Sequence, residues 1–332
     1  MKPFESVLNS ELEDFIAYRK GLGFSGDQVR SRLMSFDKYV KKQADPSSIW
    51  KPHFYLNFRK EIGNEPSTVD NTLSAVRCFF EYLKRKDHRL NNPLKDFPGL
   101  HRRPFIPFVF SPEQVDMLLD VICGRIRRHT QRAFLKDFSE YLVILLLARC
   151  GLRISEPLRL KLADYRPDEK TIYIEKTKFR KDRLIPVPLS VARQIDNYLS
   201  CRAALIENDI NPYLFIAGLQ KRLGVERIRF VFHSAVLQIG IDSPRKVIGD
   251  TTFGNPTPHS LRHSFAIYTL KTAIARKQSP RNVLPVLAAY MGHVNYQYTM
   301  HYLKVVDAKS RTRLLKFAER RMANHEIEQL YY

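Results

Sequence analysis

Apolar and polar residues alternate with a helical period along residues 1–90. The segment SELEDFIAYRKGL places its apolar side chains three or four positions apart, and QVRSRLMSFDKYVKK, FYLNFRKEI and STVDNTLSAVRCFFEYLKRK repeat the pattern. Apolar residues at this spacing share one face of an α-helix, which becomes its buried side. The pattern predicts a bundle of four or five short helices, with N-caps at Ser10 and at Ser67 or Thr68.

A proline-rich stretch, NNPLKDFPGLHRRPFIPF, follows the predicted bundle. Its four prolines break helices and stiffen extended chain. We therefore expect a linker at residues 101–110, between a first domain at 1–100 and a second domain at 111–332. The second domain opens with SPEQV, in which Ser111 and Pro112 form a typical N-cap and first helical position.

The second domain is predicted to be helical except near residues 171–187. There TIYIE and RLIPVP form two short strands joined by the basic turn KTKFRKD, and YLFIA at 213–217 is a weaker extended stretch. The apolar run YLVILLLA at 141–148 is too short to span a bilayer and is typical of a buried helix. The fold class predicted for the whole chain is mainly α with a small β-sheet.

The charge of the chain indicates a polyanionic partner. The 332 residues carry a net charge of +21, and the pI is about 9.9. Residues 1–100 hold 17 basic and 13 acidic side chains, whereas the remainder holds 38 and 21. We expect the larger, second part to meet most of the polyanion. A basic protein that is merely soluble stays an alternative at this point.

Cysteine usage and the N-terminal residues predict a cytoplasmic protein. The four cysteines have no C-x-x-C spacing and stand in apolar or helix-like surroundings, so we expect reduced thiols. They are Cys78, Cys123, Cys150 and Cys201. The stretch MKPFESVLNSELEDF contains early acidic residues and lacks the apolar centre of a signal peptide.

Four patches in the second domain carry more polar chemistry than a hydrophobic core tolerates without cause. They are ARCGLRISEPLRL, the turn KTKFRKD, PHSLRHSF and MGHVNYQYTMHYL. The candidate site residues within them are Arg153, Lys178, His259, Arg262, His293 and Tyr302.

The third patch predicts a phosphate site. Pro258 favours a helix start near His259, and Arg262 lies three positions on, so the two side chains share a face about 5–6 Å apart. A helix N-terminus favours anions, and a guanidinium can hold two phosphoryl oxygens at once. A histidine beside them can relay a proton.

Two alternatives stay open for this turn. His259 and His263 have the four-residue spacing of a helical zinc pair, but there is no H-E-x-x-H glutamate and no third ligand in obvious register, and Arg262 would repel a dication. We therefore expect no metal. The second alternative is that one histidine belongs to the core and the other to the surface, without a site.

Together, the four patches resemble the tyrosine recombinase family, which includes phage and transposon integrases and Xer-type recombinases. GLRISE matches G-L-R-x-S-E, and HSLRH matches H-x-L-R-H. TKFRKDRLIPV matches the hairpin lysine followed by K-x-R-x-x-P-V/L, and MGHVNYQYTMHY matches L-G-H with a nucleophilic tyrosine nine residues on. The motifs follow in family order over roughly residues 110–305.

The sequence departs from the family pattern at a few positions. Met291 replaces the usual leucine, and Phe179 stands where glycine is common, which makes the register of the lysine turn less definite. The stretches DSPRKVIGDTTFGNPT and KTAIARKQSPRNVLP are longer than usual and are expected to be loops. Nothing ahead of the bundle resembles the arm-site domain of some phage integrases, which favours a simple core site.

The resemblance implies that Tyr302 attacks the scissile phosphate and forms a 3′-phosphotyrosyl bond. Tyr296 and Tyr298 are nearby competitors, but only Tyr302 lies at the family distance. The resemblance also implies that Arg153 and Arg262 hold the non-bridging phosphate oxygens, where charge develops in the transition state.

Further roles follow from the same resemblance. Lys178 protonates the leaving 5′-oxygen, with Lys176 and Lys181 as alternatives. His259 helps to deprotonate the tyrosine, and His293 hydrogen-bonds the phosphate. Two more side chains are expected to support the pocket from behind: His263 and Glu156.

The residues after Tyr302 are predicted to form a tail helix. Apolar side chains recur among charges on one helix face, at Val305, Leu314, Leu315, Phe317 and Ala318. The resemblance implies that such a tail docks on a neighbouring copy of the protein. The alternative is a helix that packs on its own domain.

The resemblance implies a helical core-binding domain ahead of an α+β catalytic domain. The expected partners are double-stranded DNA recombination sites and three further copies, or related recombinases, in a tetramer that forms a Holliday junction. No cofactor or metal and no membrane is implied, and a mobile-element role and nucleoid association are expected. The alternatives are a type IB topoisomerase and a DNA-binding regulator without catalysis.

Overall fold

The computed structural model describes residues 2–24, 26–43, 45–63, 65–88, 90–99, 103–175, 182–218, 221–293 and 310–320. The chain divides into two compact units, Met1–Arg103 and Pro104–Tyr332. None of the helices among the described residues has the length and apolarity needed to cross a bilayer.

The first unit is a helical bundle. Its elements are α1 (Asn9–Gly21), α2 (Asp27–Lys41), a short 3₁₀ helix (Pro46–Trp50), α3 (Pro52–Ile62) and α4 (Pro66–Lys86). The helical periodicity therefore predicted these elements correctly. Aromatic rings fill the core, with the Phe36 ring 5.7 Å from that of Phe58 and 6.1 Å from that of Phe80.

The predicted N-caps of this bundle are wrong. Helix α1 begins one residue before Ser10, after Leu8, and α4 begins after Glu65, and neither N-cap residue caps its helix with a side chain. The reason at α4 is Pro66, which takes the first helical position because its missing N–H would have no partner there.

Helices form most of the second unit as well. They are α5 (Pro112–Gly124), α6 (Gln131–Arg149), α7 (Leu189–Leu205), α8 (Val225–Gln238), α9 (Pro258–Ala275), α10 (Pro280–Met291) and the helical residues 310–320. Helix α6 is the central element, because Leu142–Leu147 are buried on all sides. Its identity as a core helix was predicted correctly, as was the start of α5, where Ser111 and Gln114 form a capping box ahead of Pro112.

Short strands form three small sheets in this unit. The strands are β1 (Phe105–Ile106), β2 (Tyr165–Arg166), β3 (Thr171–Ile174), β4 (Arg183–Pro186), β5 (Ile216–Gly218), β6 (Lys221–Arg222), β7 (Lys246–Ile248) and β8 (Thr251–Phe253). Their orders are β2-β3-β4, β1-β8-β7 and β5-β6. The predicted hairpin is confirmed, because β3 and β4 pair antiparallel from Thr171 opposite Pro186 to Ile174 opposite Arg183.

The sheet β1-β8-β7 was not predicted. Strand β1 lies within the stretch expected to be a linker and pairs parallel with β8, Phe105 opposite Thr252. Strands β7 and β8 lie within DSPRKVIGDTTFGNPT, which was expected to be a loop. Residues 104–110 consequently belong to the second unit, and their sheet leads directly into α9.

Candidate active site

The C-terminal end of α6 forms one wall of the site. The helix ends at Arg149. Gly151 follows with φ +60°, a backbone conformation that residues other than glycine rarely adopt. A Cβ atom at Gly151 would also lie 2.4 Å from the Phe265 ring of α9. Glycine at this position therefore lets α9 approach and turns the chain so that Arg153 enters the site.

Glu156 holds two arginines together. Its carboxylate accepts hydrogen bonds from Nη1 of Arg153 at 2.9 Å and from Nη1 and Nη2 of Arg183 at 3.2 and 3.0 Å. The residue is 3% exposed. Burial acts to raise the pKa of Glu156, but the bonds and charges of Arg183 and Arg153 outweigh it and hold that pKa below its usual range. The carboxylate is thus charged and fixes both guanidinium planes.

The end of α10 forms the opposite wall. Helix α10 stops at Met291 because Gly292 adopts the left-handed conformation with φ +66°. The Gly292 carbonyl accepts a hydrogen bond from Nη2 of Arg153 at 2.9 Å, and the Tyr290 carbonyl accepts one from Nε of Arg183 at 2.8 Å. These bonds fix the position of His293, the next residue along the chain.

Arg262 of α9 lies between the two walls. Its Nη1 donates to the carbonyl of Gly151 at 2.5 Å, and its Nη2 donates to the carbonyl of Met291 at 2.7 Å. Its Nη2 also lies 3.0 Å from Nε2 of His293. The residue is 1% exposed, whereas the side chain of Arg153 is 25% exposed. Arg153 is therefore the more accessible of the two arginines, and Arg262 joins α6, α9 and α10.

The two candidate histidines are neutral near pH 7. Burial and the charges of Arg262 and Arg153 lower the pKa of His259 to about 4, although part of this residue is open to solvent. Burial and the charges of Arg262, Arg153 and Arg183 lower the pKa of His293 to about 4 as well. A neutral imidazole can accept a proton, so each ring can act as a base or as a hydrogen-bond partner.

The structure also bears on the zinc alternative. The rings of His259 and His263 pack edge to face with their centres 4.6 Å apart. Across the described stretches of the chain, no three histidine, cysteine, aspartate or glutamate side chains come together as metal ligands. Arg153 and Arg183 share the single carboxylate of Glu156, so this group of three side chains carries a net positive charge. Such a group favours an anion over a metal cation.

The structure thus brings together Arg153, His259, Arg262 and His293, with Glu156 behind them. Two predicted site residues, Lys178 and Tyr302, lie outside the described residues, as do the alternatives Lys176, Lys181, Tyr296 and Tyr298. The predicted strands on either side of the lysine turn are present as β3 and β4.

Sequence analysis missed one residue of the site, Arg183. It is the arginine of the R-x-x-P stretch in DRLIPV, so a signal was available, but its partner Glu156 is 27 positions away. Only the fold shows that the two side chains form a bidentate pair.

Comparison with known proteins agrees with this geometry. The model of the phage integrase family matches residues 109–309. A Sinorhizobium fredii protein named as an integrase/recombinase is 30% identical over 90% of this chain and 93% of its own length. The tyrosine recombinase XerA of Pyrococcus horikoshii is 24% identical over 95% of this chain and 96% of its own length.

Solved structures show the same fold. A lambda integrase (75–356) dimer bound to a COC′ core site superposes with a TM-score of 0.64 at 12% identity, over 88% of this chain and 94% of that one. The XerH site-specific recombinase bound to its difH substrate superposes with a TM-score of 0.62 at 18% identity, over 92% and 83%. The family match and the 30% identical relative support the recombinase interpretation and not the topoisomerase or regulator alternatives. The chain therefore belongs to the phage integrase family and is a tyrosine recombinase, a site-specific recombinase of DNA.

Proposed function

We propose that this recombinase cleaves and rejoins DNA at specific sites through a covalent bond between Tyr302 and a 3′-phosphate. The observation that supports it is the cluster of Arg153, Arg262, His259 and His293, which reach one site from three separate segments of the chain. A cluster of positive charge with neutral bases beside it suits the transfer of a phosphodiester to a hydroxyl group.

The proposed reaction assigns a role to each group. The Tyr302 oxygen attacks phosphorus and its proton passes to the neutral ring of His259, while the bond from phosphorus to the 5′-oxygen breaks. Lys178 gives its proton to that oxygen. The phosphotyrosyl bond keeps the energy of the phosphodiester, so rejoining requires no ATP, and we propose no cofactor or metal.

The arginines stabilise the charge that builds up on the non-bridging oxygens. Arg153 is accessible and can hold an oxygen directly. Arg262 lies deeper, and its contact with Nε2 of His293 links the two groups that we propose to face the phosphate. The carboxylate of Glu156 keeps Arg153 in place through the pair with Arg183.

Replacement of the nucleophile tests this function. Tyr302→Phe is expected to abolish the covalent adduct with a nicked suicide DNA substrate and to leave DNA binding nearly unchanged, because only a hydroxyl group is lost. Tyr296→Phe and Tyr298→Phe are matched controls that keep the adduct. A covalent adduct from Tyr302→Phe would refute the assignment.

We propose a core-binding role for the first unit and a tetramer on DNA for the active assembly, either of one chain or with related recombinases. The helical residues 310–320 support a contact between copies, because Leu314 is 40% and Phe317 64% exposed on this segment. Large apolar side chains at the surface commonly mark an interface. A place in a mobile element, and a cytoplasmic, nucleoid-associated location, fit the same activity.

A further inference from the structure

A basic turn at the start of α6 has no part in the site described above. The stretch RIRRHTQRAFLK at 125–136 contains five arginine or lysine side chains and no acidic residue. It joins α5 to α6 and continues into the first turns of α6. The active site lies at the other end of this helix of 19 residues, and a rise of 1.5 Å per residue places the two ends about 27 Å apart. The positive charge of the turn therefore needs a separate explanation.

The turn and the first residues of α6 line a cavity of about 420 Å³, and α8 forms its other side. The charged part of the lining consists of two buried carboxylates, Asp137 and Glu140, and four cations, Arg125, Arg127, Lys136 and Arg227. Four positive and two negative side chains leave the lining with a net charge of +2. Replacement of buried ion pairs by apolar side chains is often neutral or stabilising, so stability alone does not account for an ionic lining.

Each carboxylate of the cavity is held by an arginine of its own. Asp137 accepts hydrogen bonds from Nε and Nη2 of Arg127 at 2.7 and 2.9 Å. Glu140 accepts hydrogen bonds from Nε and Nη2 of Arg227 at 2.8 and 3.0 Å. Burial acts to raise the pKa of Asp137, but the bonds and the charge of Arg127 outweigh it and hold that pKa below its usual range. The two bidentate pairs therefore account for both carboxylates and for two of the four cations.

Arg125 and Lys136 carry the remaining positive charge of the cavity. The bonds of Arg125 to Ser234 and Gln238 reach a hydroxyl, a carbonyl and an amide oxygen, all of them uncharged. The Lys136 ammonium lies 3.6 Å from a Glu140 oxygen, which is longer than a normal hydrogen bond, and Arg227 already holds both oxygens of that carboxylate. Within the described parts of the chain, no further carboxylate lines the cavity to neutralise these two cations.

We propose that this cavity is a second phosphoryl-binding site, separate from the active site, in which Arg125 and Lys136 hold the phosphoryl oxygens. The two arginine–carboxylate pairs form its fixed wall. A net positive charge in a concave site attracts an anion, and guanidinium and ammonium groups are the side chains that bind phosphoryl oxygens. Two exposed arginines of the same turn, Arg128 and Arg132, extend the positive surface. Such oxygens belong either to the DNA backbone, away from the scissile phosphate, or to a free polyphosphate.

Arg125→Gln combined with Lys136→Gln tests the site, because the pair of substitutions removes both remaining charges and leaves the two bidentate pairs intact. The matched control is Lys161→Gln combined with Arg166→Gln, which removes two charges from exposed positions of the same unit outside the cavity. Both proteins also carry Arg153→Gln, which weakens binding of an anion at the active site. Any difference between them therefore comes from the cavity.

Inorganic tripolyphosphate is the probe, and its binding is measured by titration calorimetry. The control protein is expected to bind it, and the cavity variant is expected to bind it at least about tenfold more weakly, because two charge-assisted contacts are lost. Lys136→Gln alone, which leaves the bonds between Arg125 and α8 in place, is expected to weaken binding at least about threefold, and thermal unfolding shows that each variant is folded. Equal affinities of the cavity variant and the control, or no binding to either, would overturn the proposal.

The salt dependence of DNA binding distinguishes the two sources of phosphoryl groups. Each contact with a DNA phosphate contributes about 0.9 to the slope of log affinity against log salt concentration. If the cavity holds the DNA backbone, the slope of the cavity variant is expected to be smaller than that of the control by about 1.8. Equal slopes, together with the loss of tripolyphosphate binding, would assign the cavity to a free polyphosphate. Equal slopes with unchanged tripolyphosphate binding would leave the cavity without a phosphoryl ligand and refute the inference.

Discussion

Glu156→Gln tests whether one buried carboxylate organises the active site. The substitution keeps the shape of the side chain but removes its charge and replaces one carboxylate oxygen with an amide nitrogen, which donates hydrogen bonds and cannot accept them. Arg183, whose side chain is 9% exposed, then keeps its charge without a carboxylate partner at this position. Arg153 loses the same partner, so both stability and the rate of adduct formation are expected to fall.

The size of the effect follows from burial. Removal of one partner from a buried ion pair costs about 3–5 kcal/mol, because the remaining charge stays desolvated. For a unit of this size, each kcal/mol lowers the melting temperature by roughly 2–4 °C, so we expect a decrease of about 6–20 °C. The pKa of Glu156 is lowered in the folded protein, so its contribution is complete above the unfolded value, near 4.5, and is lost as the pH falls through the folded value. The difference in melting temperature between the Glu156→Gln variant and the unsubstituted protein should therefore shrink at acidic pH.

Scanning calorimetry and tryptophan fluorescence together distinguish a loss of stability in the second unit from one in the first. Trp50, the one tryptophan of the chain, lies in the first unit, so its fluorescence transition serves as an internal control. The matched control is Glu226→Gln, which breaks an exposed pair with Arg229 and is expected to cost at most about 0.5 kcal/mol. If Glu156→Gln lowers stability no more than Glu226→Gln does, the carboxylate does not organise the site.

Further predictions concern protonation, the acid, the tail and salt. In the free protein, the NMR signals of His259 and His293 should titrate near pH 4 and not near 6.5. The unfolded chain takes up these protons at a higher pH than the folded protein does, so the free energy of unfolding should fall as the pH drops from about 6.5 towards 4. Lys178→Ala should slow cleavage of ordinary DNA far more than cleavage of a 5′-phosphorothiolate, because the sulfur leaves without needing a proton. If the variant cleaves the phosphorothiolate no better than ordinary DNA, another residue is the general acid. Leu314→Ala combined with Phe317→Ala should keep half-site binding and the adduct but weaken assembly on a full site; unchanged strand exchange would exclude a role for these two exposed side chains. DNA affinity should fall steeply with salt, and a flat dependence would contradict binding by a chain of charge +21.

Local signals in the sequence were sufficient for much of the fold. The capping box at Ser111 depends on residues three positions apart, and the burial of α6 follows from an uninterrupted apolar run. The hairpin of β3 and β4 also depends on neighbouring residues. Each of these features is decided within a few positions of the chain, where periodicity and turn chemistry act.

The features that sequence analysis missed depend on distant partners. Strand β1 has two residues and no alternating pattern, and only its pairing with β8 defines it. The burial of Arg262 depends on hydrogen bonds to the carbonyls of Gly151 and Met291. Every residue has a backbone carbonyl, so the sequence does not indicate which carbonyls an arginine will contact. Arg311 looks like any cation in a basic segment until its hydrogen bonds to the carbonyls of Pro107 and Gly254 are known.

The parallel pairing of β1 with β8 also affects how the protein folds. This sheet joins the beginning of the second unit to a hairpin far along the chain, and Arg311 then meets Pro107 across 204 positions. Contacts between such distant residues form slowly, because a long loop must close before they stabilise anything. On the ribosome, the hydrogen bond from Arg311 to the Pro107 carbonyl therefore cannot form until residue 311 has emerged. This contact is thus among the last that the second unit completes during synthesis.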